Sequence, residues 1–274
     1  MKKILILAFA AMAMAACAPK QTEEAAAPKT LVLYYSQRGA TEKLTQELQA
    51  QLNADIESIV VENAYDGDYA STIERCKQEM EAGTLPTVKP IQANIADYDQ
   101  IFLCYPVWFG TYALPIASML KDNDFAGKKV VACCTFGSGD FETSVANLAQ
   151  ALPKAEVVEG FCIRDVRIAK VADELNRFLI EHGYKDGQID ALPAFMEHHP
   201  VTDEEKAIFD QACGSYIYPM GTPIDVAVRE TATATDYEFT SLNKNREGED
   251  VNTTVFITKE KKDGAKAEFT RVIR

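Results

Sequence analysis

With 274 residues, 47% of them hydrophobic, the chain has enough material for one α/β domain and a smaller companion. Its formal net charge of −13 at pH 7 opposes binding to a nucleic-acid backbone, and any phosphate it binds must be neutralised locally. Seven cysteines raise the question of disulfides, but their spacing does not form a metal-ligand pattern.

The first residues read as an export signal. Lys2 and Lys3 precede an apolar run from Ile4 to Ala16 that is too short to span a bilayer. Met14-Ala15-Ala16-Cys17 closes it. Small residues directly before a cysteine resemble a bacterial lipoprotein signal over residues 1–16. This resemblance implies that Cys17 is lipidated and becomes the mature N-terminus; a plain secretory signal with an incidental cysteine is the alternative. Residues 17–29 have little to bury and read as a flexible tether. The expected location is outside the cytoplasm, anchored to a membrane of the cell envelope by lipid.

Leu31 to Tyr35 is a continuous apolar run, the pattern of a strand buried on both faces of a parallel sheet. The turn Ser36-Gln37-Arg38-Gly39-Ala40-Thr41 follows, then a helix with Leu44, Leu48 and Leu52 on one stripe. Such a turn presents free amides and the positive end of a helix dipole, with hydroxyls from Ser36 and Thr41 and close backbone approach at Gly39. It is a phosphate cradle without the lysine of a nucleotide-triphosphate loop or the triple glycine of a dinucleotide fingerprint.

A second strand is expected over Asp55–Val61, then a polar stretch around Asn63–Asp68 that reads as a solvated loop, then a helix with Ile73, Cys76 and Met80. Ile101 to Tyr105 is the third strand, and Pro106-Val107-Trp108-Phe109-Gly110-Thr111-Tyr112 follows as a loop carrying the chain's single tryptophan. Large rings at a loop mouth favour a flat ligand over them, although a core or lid role is the other reading of Trp108. Pro115 opens a helix with Ile116, Met119 and Leu120. The fourth strand, Lys129–Cys134, runs into a turn of small residues, Thr135-Phe136-Gly137-Ser138-Gly139-Asp140. A helix with Val145, Leu148 and Leu152, a fifth strand over Glu156–Ile163 and a helix with Val171, Leu175, Phe178 and Leu179 complete the series. Cys104, Cys133, Cys134 and Cys162 lie in strand runs and are expected as buried thiols rather than disulfides.

Five alternations of strand and helix predict a doubly wound, five-stranded parallel sheet, with ligands outside the carboxyl ends of the strands. The first turn, and the Pro-hydrophobic-Trp-x-Gly loop above all, resemble the flavodoxin family over about residues 30–183, with strand order 2-1-3-4-5. This resemblance implies bound FMN. Ser36, Gly39 and Thr41, with the backbone of Arg38 and Ala40 and with Gln37 in the same turn, would take the phosphate. Pro106, Val107, Trp108 and Gly110, with Phe109 in the same loop, would line one side of the ring, Trp108 as its aromatic neighbour. Thr135, Gly137, Ser138 and Gly139, with Phe136 between them, would meet its polar edge. The chain departs from the family pattern at Arg38, where a hydroxyl residue is usual, and at Ala40, where a polar residue is usual. No side chain is required as acid, base or nucleophile, because the flavin carries the chemistry.

Periodicity lapses after Gly183, and 184–200 reads as a linker that contains His198 and His199. Residues 201–274 change character: a helix over Asp203–Cys213, then β-rich runs over Ile224–Thr233, Tyr237–Leu242, Thr253–Lys259 and Ala265–Ile273. Lys262-Asp263-Gly264 is a hairpin signal. A helix on an antiparallel sheet, resembling cystatin-type α+β modules, is expected. The turn glycine of cystatins is absent, so a binding or spacing role is expected rather than protease inhibition. The functional expectation is FMN-dependent electron transfer at the cell envelope with a protein or quinone partner. An FMN-dependent quinone or nitro reductase and a cofactor-free binding lipoprotein are the alternatives.

Overall fold

The structure, a computed structural model, describes residues 28–137, 139, 141–214, 216, 218–245 and 248–274. The expected signal, Cys17, nearly all of the tether, and Ser138 lie outside the described residues.

The first domain comprises β1 (Thr30–Tyr34), α1 (Ala40–Leu52), β2 (Asp55–Ser58), α2 (Tyr69–Glu81), β3 (Gln100–Trp108), β4 (Thr111–Tyr112), α3 (Leu114–Asp122), β5 (Lys129–Phe136), α4 (Phe141–Ala151), β6 (Glu156–Arg164) and α5 (Val171–Glu181). Its sheet runs β2-β1-β3-β5-β6, all parallel, with β4 folded back antiparallel on β3. With the short β4 set aside, this is the expected 2-1-3-4-5 order.

The apolar runs explain the layering. Successive residues of a strand point to opposite faces, so an uninterrupted run must be covered on both. Leu31, Leu33, Ile101, Leu103, Val130 and Ala132 enter one core, under Cys76 of α2, Met119 of α3 and Leu148 of α4. Val32, Phe102, Cys104, Val131 and Cys133 enter the other, under Leu44 and Leu48 of α1 and Leu175 and Leu179 of α5. All six described cysteines are free thiols, five of them buried and Cys162 partly so.

Four elements differ from expectation. β2 stops at Ser58, because the chain beyond it pairs elsewhere: Val61 bridges Val88 and Lys89 N–H donates to the Val60 carbonyl. β3 and β5 each run past their expected ends, to Trp108 and Phe136. A 3-10 helix over Asp165–Lys170 precedes α5 and carries the buried Arg167.

The C-terminal module contains β7 (His199–Pro200), α6 (Asp203–Cys213), β8 (Thr222–Glu230), β9 (Ala234–Lys244), β10 (Asp250–Glu260) and β11 (Ala267–Ile273). Its antiparallel sheet runs β11-β10-β9-β8-β7. The end of the stretch read as linker therefore belongs to this sheet, with His199 opposite Val226. Thr202 and Glu205 form a reciprocal capping box that starts α6. Phe209 and Cys213 of α6 pack on Val226, Phe239, Val255, Ile257 and Phe269.

Candidate functional site at the carboxyl ends of the strands

The turn after β1 is closed from within. Gly39 N–H donates to Ser36 Oγ at 3.1 Å, and Gly39 sits in the left-handed region at φ 86°. A Cβ added there would meet nothing within 4 Å, so the glycine is needed for its conformation and the space beyond it is open. Gly39 is also the residue before α1, and no side chain caps this helix. The first-turn amides of Ala40, Thr41 and Glu42 have no intrahelical acceptor by geometry, which makes this end receptive to an anion. Arg38 is exposed and forms no ion pair among the described residues. Glu42 in the same turn opposes it, so the local balance rests on backbone dipoles together with Arg38.

The other side chains of this turn fix its position. Gln37 Nε2 donates to the Tyr65 carbonyl at 3.1 Å and to Thr72 Oγ1 at 2.8 Å, tying the turn to the segment before α2 and to α2 itself. Thr41 and Thr135 are buried, with their hydroxyl oxygens 2.8 Å apart, so the turn after β1 is hydrogen-bonded to the end of β5. Two hydroxyls carry two hydrogens and their mutual bond uses one, which leaves one donor for a further acceptor.

The stretch expected as an aromatic loop is a hairpin. Val107 pairs with Tyr112 and Trp108 with Thr111, leaving Phe109 and Gly110 as a two-residue turn. Both have positive φ, 50° and 76°, the geometry of hairpin turns usually built from Asn-Gly or Gly-Gly. A phenylalanine there is strained by about 1–2 kcal/mol. It is also 49% exposed, so about half of this residue stands open at the rim of the site.

Trp108 is held by two rings instead. Tyr35 lies edge-on at 5.7 Å and Tyr65 edge-on at 5.1 Å. Tyr65 is fixed in turn by Glu79, which accepts from its hydroxyl, and by the Arg75 guanidinium 3.9 Å over its ring. Arg75 Nε donates to Glu79 at 2.9 Å. Burial pushes the hydroxyls of Tyr35 and Tyr65 well up, and Glu79 adds to the shift for Tyr65, so both stay neutral. In the segment expected as a solvated loop, Asn63–Asp68, Tyr65 alone turns inward to support the tryptophan, and the residues around it are exposed. Tyr35, Tyr65, Arg75 and Glu79 were not legible as site residues; only the four-residue spacing of Arg75 and Glu79 hinted at an ion pair.

The turn after β5 completes the arrangement. Phe136, expected with this turn, is buried in the core. A Cβ added at Gly137 would meet nothing within 4 Å, so this turn also faces open space. The Gly137 carbonyl accepts from Arg164 Nε and from the Tyr216 hydroxyl, each at 3.2 Å. Gly139, at φ 106°, lies against Val272 of β11. Pro106 and Val107 are half-buried at the base of the hairpin. The first and third turns are thus bonded to each other through Thr41 and Thr135, and the hairpin grows from the strand between them.

A family model described as Flavodoxin matches residues 29–179. Among solved structures, the chain is similar to a candidate flavoprotein from Bacteroides eggerthii DSM 20697, with 26% identity over 54% of this chain and 98% of that one and a TM-score of 0.46. It is also similar to a flavoprotein in complex with FMN from Lactobacillus acidophilus NCFM, with 24% identity over 53% of this chain and 99% of that one and a TM-score of 0.42. No curated protein matches the chain. The family match ends before the C-terminal module.

Proposed function

This chain belongs to the flavodoxin family, and we propose that its three converging strand ends hold FMN for electron transfer at the cell envelope. The observation that carries this reading is the uncapped start of α1 behind a left-handed Gly39, with Arg38 exposed beside it. Backbone donors plus one guanidinium suit a phosphate dianion, and they supply local positive potential in a chain of net charge −13. The residues present fit the group. Ala40, Thr41 and Glu42 amides and Arg38 would hold the phosphate, and the hairpin of Trp108 and Phe109 and the turn at Gly137–Gly139 would flank the ring.

When bound, FMN supplies the electron-transfer chemistry. The protein's own part is to orient the ring and limit water around it. Tyr35 and Tyr65 keep Trp108 from rotating, and Gln37 keeps the phosphate turn in register with α2. Aromatic walls and surrounding negative charge oppose added negative charge in the site, which favours a low reduction potential. Lipidation at Cys17 and the tether would hold the domain at a membrane surface, within reach of a quinone or a second envelope protein.

The test is to load the protein with FMN, photoreduce it without oxygen and add a soluble quinone. Oxidation of the flavin in proportion to quinone added, with no sustained consumption of NADH or NADPH in a parallel assay, is the expected result. Steady nicotinamide turnover would replace the carrier with a reductase.

A further inference from the structure

The C-terminal module touches the first domain at the turn where the ring end of the ligand would lie. Gly137 has two carbonyl lone pairs, and both are taken: one by Arg164 at the end of β6, the other by Tyr216 of the module. Arg164 is itself shared, since its second nitrogen donates to the Phe269 carbonyl of β11 at 2.9 Å. Its guanidinium lies 4.5 Å from the Phe269 ring centre and 5.4 Å from that of Tyr216. At Gly139 the fit is close, for an added Cβ would stand 2.6 Å from Val272 Cγ1.

Ion pairs fasten the same contact on either side. Arg271 of β11 pairs with Glu142 in the first turn of α4 and with Glu159 of β6. Arg167 pairs with Glu268 at 2.5 Å, and Lys170 with Glu260 at 2.6 Å and Glu268 at 3.0 Å. A turn built on Gly137 and Gly139 has much backbone freedom to lose, so fixing it beforehand lowers the entropy cost of ligand binding. From inside the first domain, Thr135 at its base is held by Thr41. From outside, the module holds it.

We propose that the C-terminal module forms the outer wall of the flavin site and that Tyr216 is a positioning residue, fixing the turn after β5 and through it the ring of FMN. This inference rests on the FMN reading above, but its geometric half can be tested without cofactor. Mere domain packing would use the same ion pairs, yet it would not couple one module hydroxyl to the ring and leave the phosphate end unaffected.

Tyr216→Phe removes that hydroxyl and keeps the ring that packs 5.4 Å from Phe269, so folding is retained. In cofactor-free protein, the backbone amide order parameters at Gly137 and Gly139 should fall, with those of β1 unchanged, as expected for a turn that has lost one hydrogen bond. In loaded protein, the affinities for FMN and riboflavin should fall by one common factor, about two- to tenfold, and the midpoint potential of the bound flavin should move. Unchanged order parameters, or unchanged affinity and potential in a protein that binds FMN, would overturn the inference. Lower order parameters in Tyr216→Phe, where the wild-type protein binds neither flavin, would instead refute the FMN reading, and with it the ring-positioning role, leaving the module only a brace for this turn.

Discussion

FMN is expected to bind at least about a hundred-fold more tightly than riboflavin. The two ligands share the ring and differ in the phosphate, so their ratio isolates the turn after β1. Hydrogen bonds to a charged group contribute about 1.5–3 kcal/mol each. Two such bonds from the uncapped amides of α1 already give about 3 kcal/mol, which is more than a hundred-fold. Arg38→Ala should narrow the ratio roughly tenfold, one charge-assisted contact, and leave riboflavin affinity unchanged. Calorimetric titration of both ligands measures it. A ratio below ten would place the phosphate away from α1.

A loss of stability beginning near pH 9 is the second large effect expected. Burial pushes the Cys76 thiol from 9.0 up to about 11, and the Cys162 and Cys213 thiols up to about 12. Cys104 and Cys134 shift the same way, also through burial, as does the Tyr105 hydroxyl. The folded chain therefore keeps protons that the unfolded chain releases. Below pH 9 both states are protonated and the full stability is present. Between about 9 and the raised folded values the unfolded state binds fewer protons, so stability falls as pH rises, by up to about 1.4 kcal/mol per pH unit for each group. Urea midpoints between pH 7 and 10.5 should fall, and Cys76→Ala should flatten the slope. A midpoint independent of pH over this range would contradict the burial of these thiols.

Much of the first domain was legible because its central strands leave little choice. A run such as Ile101-Phe102-Leu103-Cys104-Tyr105 has no polar face, and only a sheet covered on both sides accommodates it. The phosphate turn was legible for a related reason: Ser36 and Gly39 at that spacing close a turn, and Gly39 takes a left-handed conformation that other residues resist. The hairpin at Phe109 was not, since phenylalanine gives no signal for positive φ; the strain is imposed by pairing on both sides. Nor could the polar segment before α2 announce that Tyr65 turns inward, because its anchors Arg75 and Glu79 come from the next helix. Least legible was the meeting of module and site. Tyr216 and Gly137 are 79 residues apart, and Arg164, Glu142 and Arg271 are ordinary surface charges until the fold brings them together.

The central claim is that FMN sits against the hairpin that carries Trp108. Because Trp108 is the chain's single tryptophan, its fluorescence during an FMN titration reports on that position directly. Saturable quenching with one FMN per chain, absent in Trp108→Phe, is the expected result. Emission that stays constant at FMN concentrations far above micromolar would contradict the account.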